Sequence, residues 1–118
     1  MKTETYKRYR EAWDRRLKKE EEELDRKRGL LIRKVRLCAE KLKELGGRRV
    51  MLFGSLATGT FRKDSDVDIA VEGLSVEAYF KALGILEEIF EDVTFDLVDI
   101  QEALPSVLRK IEREGIEL

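Results

Sequence analysis

Histidine and asparagine are absent from this chain of 118 residues, glutamine occurs only as Gln101, proline only as Pro105 and cysteine only as Cys38. Each shortage closes off a class of chemistry. Without histidine there is no Ser-His-Asp relay, no histidine general base and no imidazole metal site. A single cysteine makes no intrachain disulfide, and with neither a second thiol nor an imidazole the usual zinc ligand sets are missing. Cys38 falls in a helical apolar stripe and is expected as a small buried residue. No apolar run approaches the roughly 18 residues that cross a bilayer, and the charged N-terminus is unlike a secretory leader. The expectation is a soluble, cytoplasmic protein with no membrane contact. Scarce amide residues beside abundant Lys, Arg and Glu point to a heat-adapted source.

What the chain has is charge, unevenly placed. Residues 1–49 carry 18 Lys/Arg against 10 Asp/Glu, a local net of +8, whereas residues 50–118 carry 6 against 15, a net of −9. Either the basic part folds on the acidic part or it meets an acidic partner. The length supports one modest core with a helical extension rather than two domains. We divide it into a charged helical extension at 1–30 and a folded domain at 31–118.

The first half reads as helix. Leu31, Val35, Cys38, Leu42 and Leu45 recur every 3 or 4 residues and line one face, and Gly46-Gly47 then stops the helix. Tyr6, Tyr9, Trp13 and Leu17 make a weaker upstream stripe that Leu24 continues. One long helix, or two helices hinged near Gly29, fits this pattern. The charge-dense stretch from Lys18 to Arg28 reads as a solvated face with internal ion pairs. Alternatively the extension is an oligomerisation or partner-binding arm with Tyr6, Tyr9 and Trp13 as anchors.

The second half changes rhythm. Strands are expected at Arg49–Phe53, Val67–Val71 and Val93–Val98, a helix capped by Ser75 over 76–90 with Tyr79, Leu83, Leu86 and Phe90 inward, and a last helix opened by Pro105 and ended near Gly115. Ile116 and Leu118 begin a further strand or cover the core edge. This order predicts an α+β fold, a small mixed β-sheet with helices packed on it. The lack of a helical stretch between Gly54 and Asp68 argues against a doubly wound dinucleotide fold.

The chemistry sits between residues 54 and 96. On a strand, Asp66 and Asp68 share one face while Val67 and Ile69 take the other. Two like charges side by side are favourable chiefly with a cation between them, and oxygen ligands suit Mg²⁺ or Mn²⁺. Asp96 interrupts an apolar strand, where a lone buried carboxylate would be costly, and a third ligand role accounts for it. Gly54 and Gly59 bracket a turn after a strand, with backbone N–H groups and the Ser55 hydroxyl available to an anion.

With its Gly54-Ser55 pair, ten intervening residues, the Asp66-Val67-Asp68 pair and the later strand-borne Asp96, residues 32–118 resemble the minimal nucleotidyltransferases of the DNA polymerase beta-like superfamily. These are the small partners in HEPN/MNT toxin–antitoxin pairs. The resemblance implies a nucleotidyltransferase fold in which Gly54 and Ser55 take the β- and γ-phosphates of ATP. By the same resemblance Asp66 and Asp68 would ligate both metals, and Asp96 would complete the catalytic metal's shell and help activate the attacking hydroxyl. It further implies AMP transfer to a hydroxyl, with a tyrosine of a HEPN-type toxin encoded nearby as acceptor. Where many minimal members carry arginines in the glycine-serine loop, this chain has Leu56 and Thr58, followed by Arg62 and Lys63. Those two cations serve the triphosphate or face solvent. A non-catalytic antitoxin that neutralises by covering its partner is the alternative. Homo-oligomerisation through the N-terminal helix is a further expectation, and with no groove-binding domain a nucleic-acid partner is not expected.

Overall fold

The computed structural model describes residues 2–118. A single helix, α1 (Lys2–Glu44), is followed by β1 (Arg49–Phe53), a one-turn α2 (Ser55–Thr58), β2 (Val67–Glu72), α3 (Val76–Ile89), β3 (Phe95–Asp99), a 3-10 turn at Ile100–Glu102, α4 (Pro105–Glu114) and a short β4 (Ile116–Glu117). The sheet order is β3-β2-β1-β4. Strand β1 lies antiparallel to β2 and β4, and β2 pairs in parallel with β3 across the α3 crossover. The sheet is therefore small and mixed, as expected.

Of the two arrangements open for the first half, the structure has the single helix. Gly29 lies inside α1, and a β-carbon there would meet nothing within 4 Å. One helical glycine costs about 1 kcal/mol, too little to break a helix that packing holds downstream. Its end is built by Gly46, at φ 110°: Gly47 N–H donates to Leu42 O at 2.9 Å and Gly46 N–H to Lys43 O at 3.1 Å, the paired bonds of a Schellman stop. The Ser75 hydroxyl accepts from Ala78 N–H at 3.1 Å and starts α3.

Strand alternation divides the core into two layers. Val50, Leu52, Val67, Ile69, Val71 and Leu97 face α1 and α3, where they pack with Leu31, Val35, Cys38, Leu42, Ala82, Leu86, Phe61 and Phe90. On the other face Met51, Phe53 and Ala70 meet Ile111 of α4. Cys38 is fully buried, and burial pushes its thiol up to about 12. The charges of the two halves pair only locally. Arg49 Nε lies 3.1 Å from Glu117 and its Nη1 4.0 Å from Glu72, and Lys43 Nζ donates to the Leu118 carbonyl at 2.7 Å. The part of α1 that projects from the domain is charge-balanced, its exposed residues 3–23 carrying seven Lys/Arg against seven Asp/Glu, so the excess positive charge lies downstream, on the part that packs on the sheet. The principal extents of 69 × 29 × 17 Å reflect that projection. Among the described residues, no helix is long and apolar enough to cross a membrane.

Two boundaries and one burial pattern differ from expectation. The segment after Gly54 is helical for one turn: Ala57 and Thr58 N–H both donate to the Gly54 carbonyl at 3.1 Å, and Gly59 at φ 83° ends the turn. Four residues carry no periodicity by which a sequence reading finds them. The antiparallel β1–β2 pair still sets this fold apart from a doubly wound sheet. Val93 and Thr94 precede β3 rather than belong to it, because Val93 N–H is drawn to the Phe90 carbonyl at 2.9 Å, closing a turn after α3. In α3 the fully buried positions are Ala82 and Leu86, with Phe90 at the cap, while Tyr79 and Leu83 are half-buried at the core's margin.

Candidate active site

The register of the sheet assembles the acids. Asp68 stands opposite Asp96 on the parallel neighbour and opposite Phe53 on β1, while Asp66 lies immediately before β2. By the alternation that buries Val67 and Ile69 under α1 and α3, Asp66, Asp68 and Asp96 fall on the α4 side, at one end of the sheet. Asp66 accepts a hydrogen bond from the Thr94 hydroxyl, which ties the start of β2 to the segment before β3.

Asp68 is half-buried, and its carboxyl is raised above the usual carboxylate range. Burial is the main cause. The negative charges of Asp96, Asp66 and Glu114 push the same way, and Lys110 opposes them. Asp96 is exposed, which corrects the premise on which the sequence singled it out. Strand β3 is an edge strand, so the carboxylate reaches water and needs no partner to tolerate its place.

Gly54 has a structural task beside the one the sequence suggested. At φ 75° and ψ −158° it adopts a conformation open essentially to glycine alone, and a β-carbon there would overlap the Asp68 carboxylate. Its N–H donates to Glu114 Oε2 at 3.1 Å, so that donor is already engaged. Ser55 is half-buried at the first position of α2. Arg62 and Lys63 are exposed in the loop before β2 and line a recess against α1, on the side of the sheet away from α4. The Arg62 N–H is bonded to the Ser65 hydroxyl at 2.8 Å, and the Lys63 carbonyl accepts from Lys27 Nζ at 3.4 Å. Tyr6, Tyr9 and Trp13 lie far along α1, exposed and off the core.

Two residues of the site escaped sequence reasoning, Lys110 and Glu114 of α4. Their signal was present in the spacing, since Val107, Lys110, Ile111 and Glu114 recur at helical intervals and Val107 and Ile111 pack on the sheet. What the pattern lacked was the docking of α4 across the end of β1 and β2.

Among the described residues, no three acid or thiol side chains already converge in a metal-holding arrangement. Yet the donor chemistry fits a divalent cation: three aspartates at one sheet end, with Asp68 raised by burial and its neighbours' charge, form a site short of positive charge.

The family model described as polymerase beta, nucleotidyltransferase matches residues 38–118. This chain belongs to that family. The match takes in every strand, the Gly54-Ser55 turn, all three aspartates and α4, and leaves residues 1–37 outside. Among solved structures, the nucleotidyltransferase fold recurs in one assigned provisionally as a minimal nucleotidyltransferase, at 26% identity and a TM-score of 0.67, over 77% of this chain and 95% of that one. The crystal structure of a toxin–antitoxin with AMP-PNP is similar at 27% identity and a TM-score of 0.57, over 67% of each chain. A toxin–antitoxin MntA-HpeT mutant is similar at 28% identity and a TM-score of 0.56, over 68% of this chain and 67% of that one. No curated protein matches the chain.

Proposed function

We propose that this nucleotidyltransferase transfers the nucleoside monophosphate of ATP to a hydroxyl of a partner toxin, a tyrosine of a HEPN-type protein, and so acts as an antitoxin. The observation that carries the reading is that strand register puts Asp66, Asp68 and Asp96 on one face at one end of the sheet, beside the Gly54-Ser55 turn. Similarity to a toxin–antitoxin structure holding AMP-PNP supports both the adenine nucleotide and the class of partner. The domain at 31–118 performs the transfer, and the extension at 1–30, with Tyr6, Tyr9 and Trp13 exposed, serves protein contact or self-association.

Asp66, Asp68 and Asp96 would hold Mg²⁺ or Mn²⁺, which when bound supplies neutralisation of the triphosphate and activation of the attacking hydroxyl. The chain's own groups do the rest. Gly54 leaves the space in which the Asp68 carboxylate stands. The Thr94 hydroxyl fixes Asp66. Ser55, at the start of α2, offers a hydroxyl to the β- and γ-phosphates. Lys110 faces Asp68 from α4 and adds positive charge at the site. Arg62 and Lys63 act on the nucleotide only from outside the acid cluster, as charges that attract the triphosphate.

The test is intact-mass analysis of the toxin encoded beside this protein after incubation with the chain, Mg²⁺ and each NTP in turn. A gain of one or more adenylyl groups with ATP, absent for Asp66→Asn/Asp68→Asn, is expected. A stable complex with no mass gain would replace transfer by neutralisation through binding.

A further inference from the structure

The charged stretch from Lys18 to Arg28, which reads in the sequence as a solvated face, ends in a contact of another kind. Arg28 of α1 is half-buried, and its Nη2 donates to the Phe61 carbonyl at 2.9 Å. Its Nη1 lies 3.1 Å from Asp25 Oδ1, one turn back on the same helix. Beside it, Lys27 Nζ donates to the Lys63 carbonyl at 3.4 Å and stands 5.8 Å from the centre of the Phe61 ring. Both residues lie outside the span 38–118 that the family model matches, yet both hold the loop that leads into Asp66.

That loop has little freedom once it is held. Phe61 is fully buried in the core, and residues 62–65 close on themselves: Arg62 N–H donates to Ser65 Oγ at 2.8 Å and Ser65 N–H to the Arg62 carbonyl at 3.1 Å. Asp66 follows directly, ahead of the first residue of β2 and outside the ladder that joins β2 to β3. Its backbone is therefore set from one side by β2 and from the other by the 61–65 loop. Stability gives a poor reason for an arginine at position 28. Among the described residues its Nε is buried with no acceptor, and such a donor costs free energy that an apolar side chain of similar length avoids. What the guanidinium does, and an apolar side chain does not, is hold the Phe61 carbonyl.

We infer that Arg28 is a positioning residue for the acid site, on the reading of Asp66 and Asp68 as ligands of a divalent cation. From α1 it clamps the Phe61 carbonyl, and through the 61–65 loop it holds Asp66 where a cation is shared with Asp68. Without the clamp the loop keeps its metal-competent arrangement for only a fraction of the time, and the apparent affinity for the cation falls by that fraction. The effect of charge runs the other way. Arg28→Met takes one positive charge from the region, which by Coulomb's law alone would draw a cation in more tightly. A side chain that served only the fold would leave the affinity unchanged.

The test is Mn²⁺ binding to the full chain without toxin or nucleotide, read from the fall of the free-ion EPR signal. Wild type is compared with Arg28→Met and with Leu42→Val, a stability control at the far end of the buried stripe of α1. Arg28→Met should bind Mn²⁺ on the order of tenfold more weakly, and Leu42→Val should bind it as the wild type does. Amide hydrogen exchange without metal gives a second readout. Arg62 and Ser65 should exchange faster in Arg28→Met, while Met51 and Leu52 of β1 keep wild-type protection. Mn²⁺ binding unchanged or tighter in Arg28→Met, equal weakening in Leu42→Val, or loop amides no faster than in the wild type would overturn the inference. Wild-type binding no stronger than that of Asp66→Asn/Asp68→Asn counts against the metal reading instead, and exchange at Arg62 and Ser65 then decides the clamp.

Discussion

Three glycines separate backbone freedom from room for a functional group. Gly29 is helical with open space around it, Gly59 has φ 83° with open space, and Gly54 has φ 75° with the Asp68 carboxylate where a β-carbon would stand. Gly29→Ala should therefore stabilise the protein by roughly 0.5–1 kcal/mol, the helical cost of glycine. Gly59→Ala should destabilise it by about 1 kcal/mol, the left-handed penalty alone. Gly54→Ala meets both a glycine-only backbone region and the carboxylate, for a cost of about 3 kcal/mol. Urea denaturation resolves these steps as shifts in midpoint at constant slope. A second comparison isolates the carboxylate: in an Asp68→Ala background the Gly54→Ala cost should fall to about 2 kcal/mol, the backbone part. Should Gly54→Ala cost no more than Gly59→Ala, or cost the same with and without Asp68, the account of Gly54 as the residue that admits Asp68 would be refuted.

Further expectations follow from the charges and the thiol. Because burial and like charges raise Asp68 in the folded state, its contribution to stability is full at acid pH and is lost as pH rises through its folded value. Asp68→Asn should accordingly raise the thermal midpoint of metal-free protein at neutral pH, and Mg²⁺ should raise the wild-type midpoint more than the variant's. Carboxyl NMR titration should show the Asp68 value moving down in Glu114→Gln and up in Lys110→Met, and a shift in the opposite sense would remove α4 from the site. Cys38, raised to about 12 from 9.0, favours the folded state below pH 9, and that stability is lost by about 1.4 kcal/mol per pH unit as pH climbs from 9 toward 12. Cys38→Ala should flatten this part of the stability profile, and the wild-type thiol should stay inert to disulfide reagents until the protein unfolds.

The strands and the acid pair were legible because a period of 2 fixes facing: once Val67 and Ile69 go into the core, Asp66 and Asp68 have no other side to take. Asp96 was found through a reason that fails, since the strand that carries it is exposed on that face, and only its register with Asp68 gives it a place in the site. The continuity of α1 through Gly29 depended on tertiary packing downstream, which outweighs a local propensity of about 1 kcal/mol. Gly54 was recognised as special, but its contact with Asp68 and its bond to Glu114 join residues 14 and 60 positions away. Lys110 and Glu114 were missed for the same reason: a helix pattern says which face is inward, not which end of a sheet it crosses. Arg62 and Lys63, near the acids in sequence, are carried by the loop to the α1 side.

The central claim is that Asp66, Asp68 and Asp96 carry nucleotidyl rather than phosphoryl transfer. The most direct measurement is incubation of the protein and its toxin partner with Mg²⁺ and ATP labelled at either the α- or the γ-phosphate. The account predicts that α-label enters the toxin, γ-label leaves as pyrophosphate, and both events vanish in Asp66→Asn/Asp68→Asn. Entry of γ-label into the toxin, or α-label transfer that survives the loss of both aspartates, would contradict it.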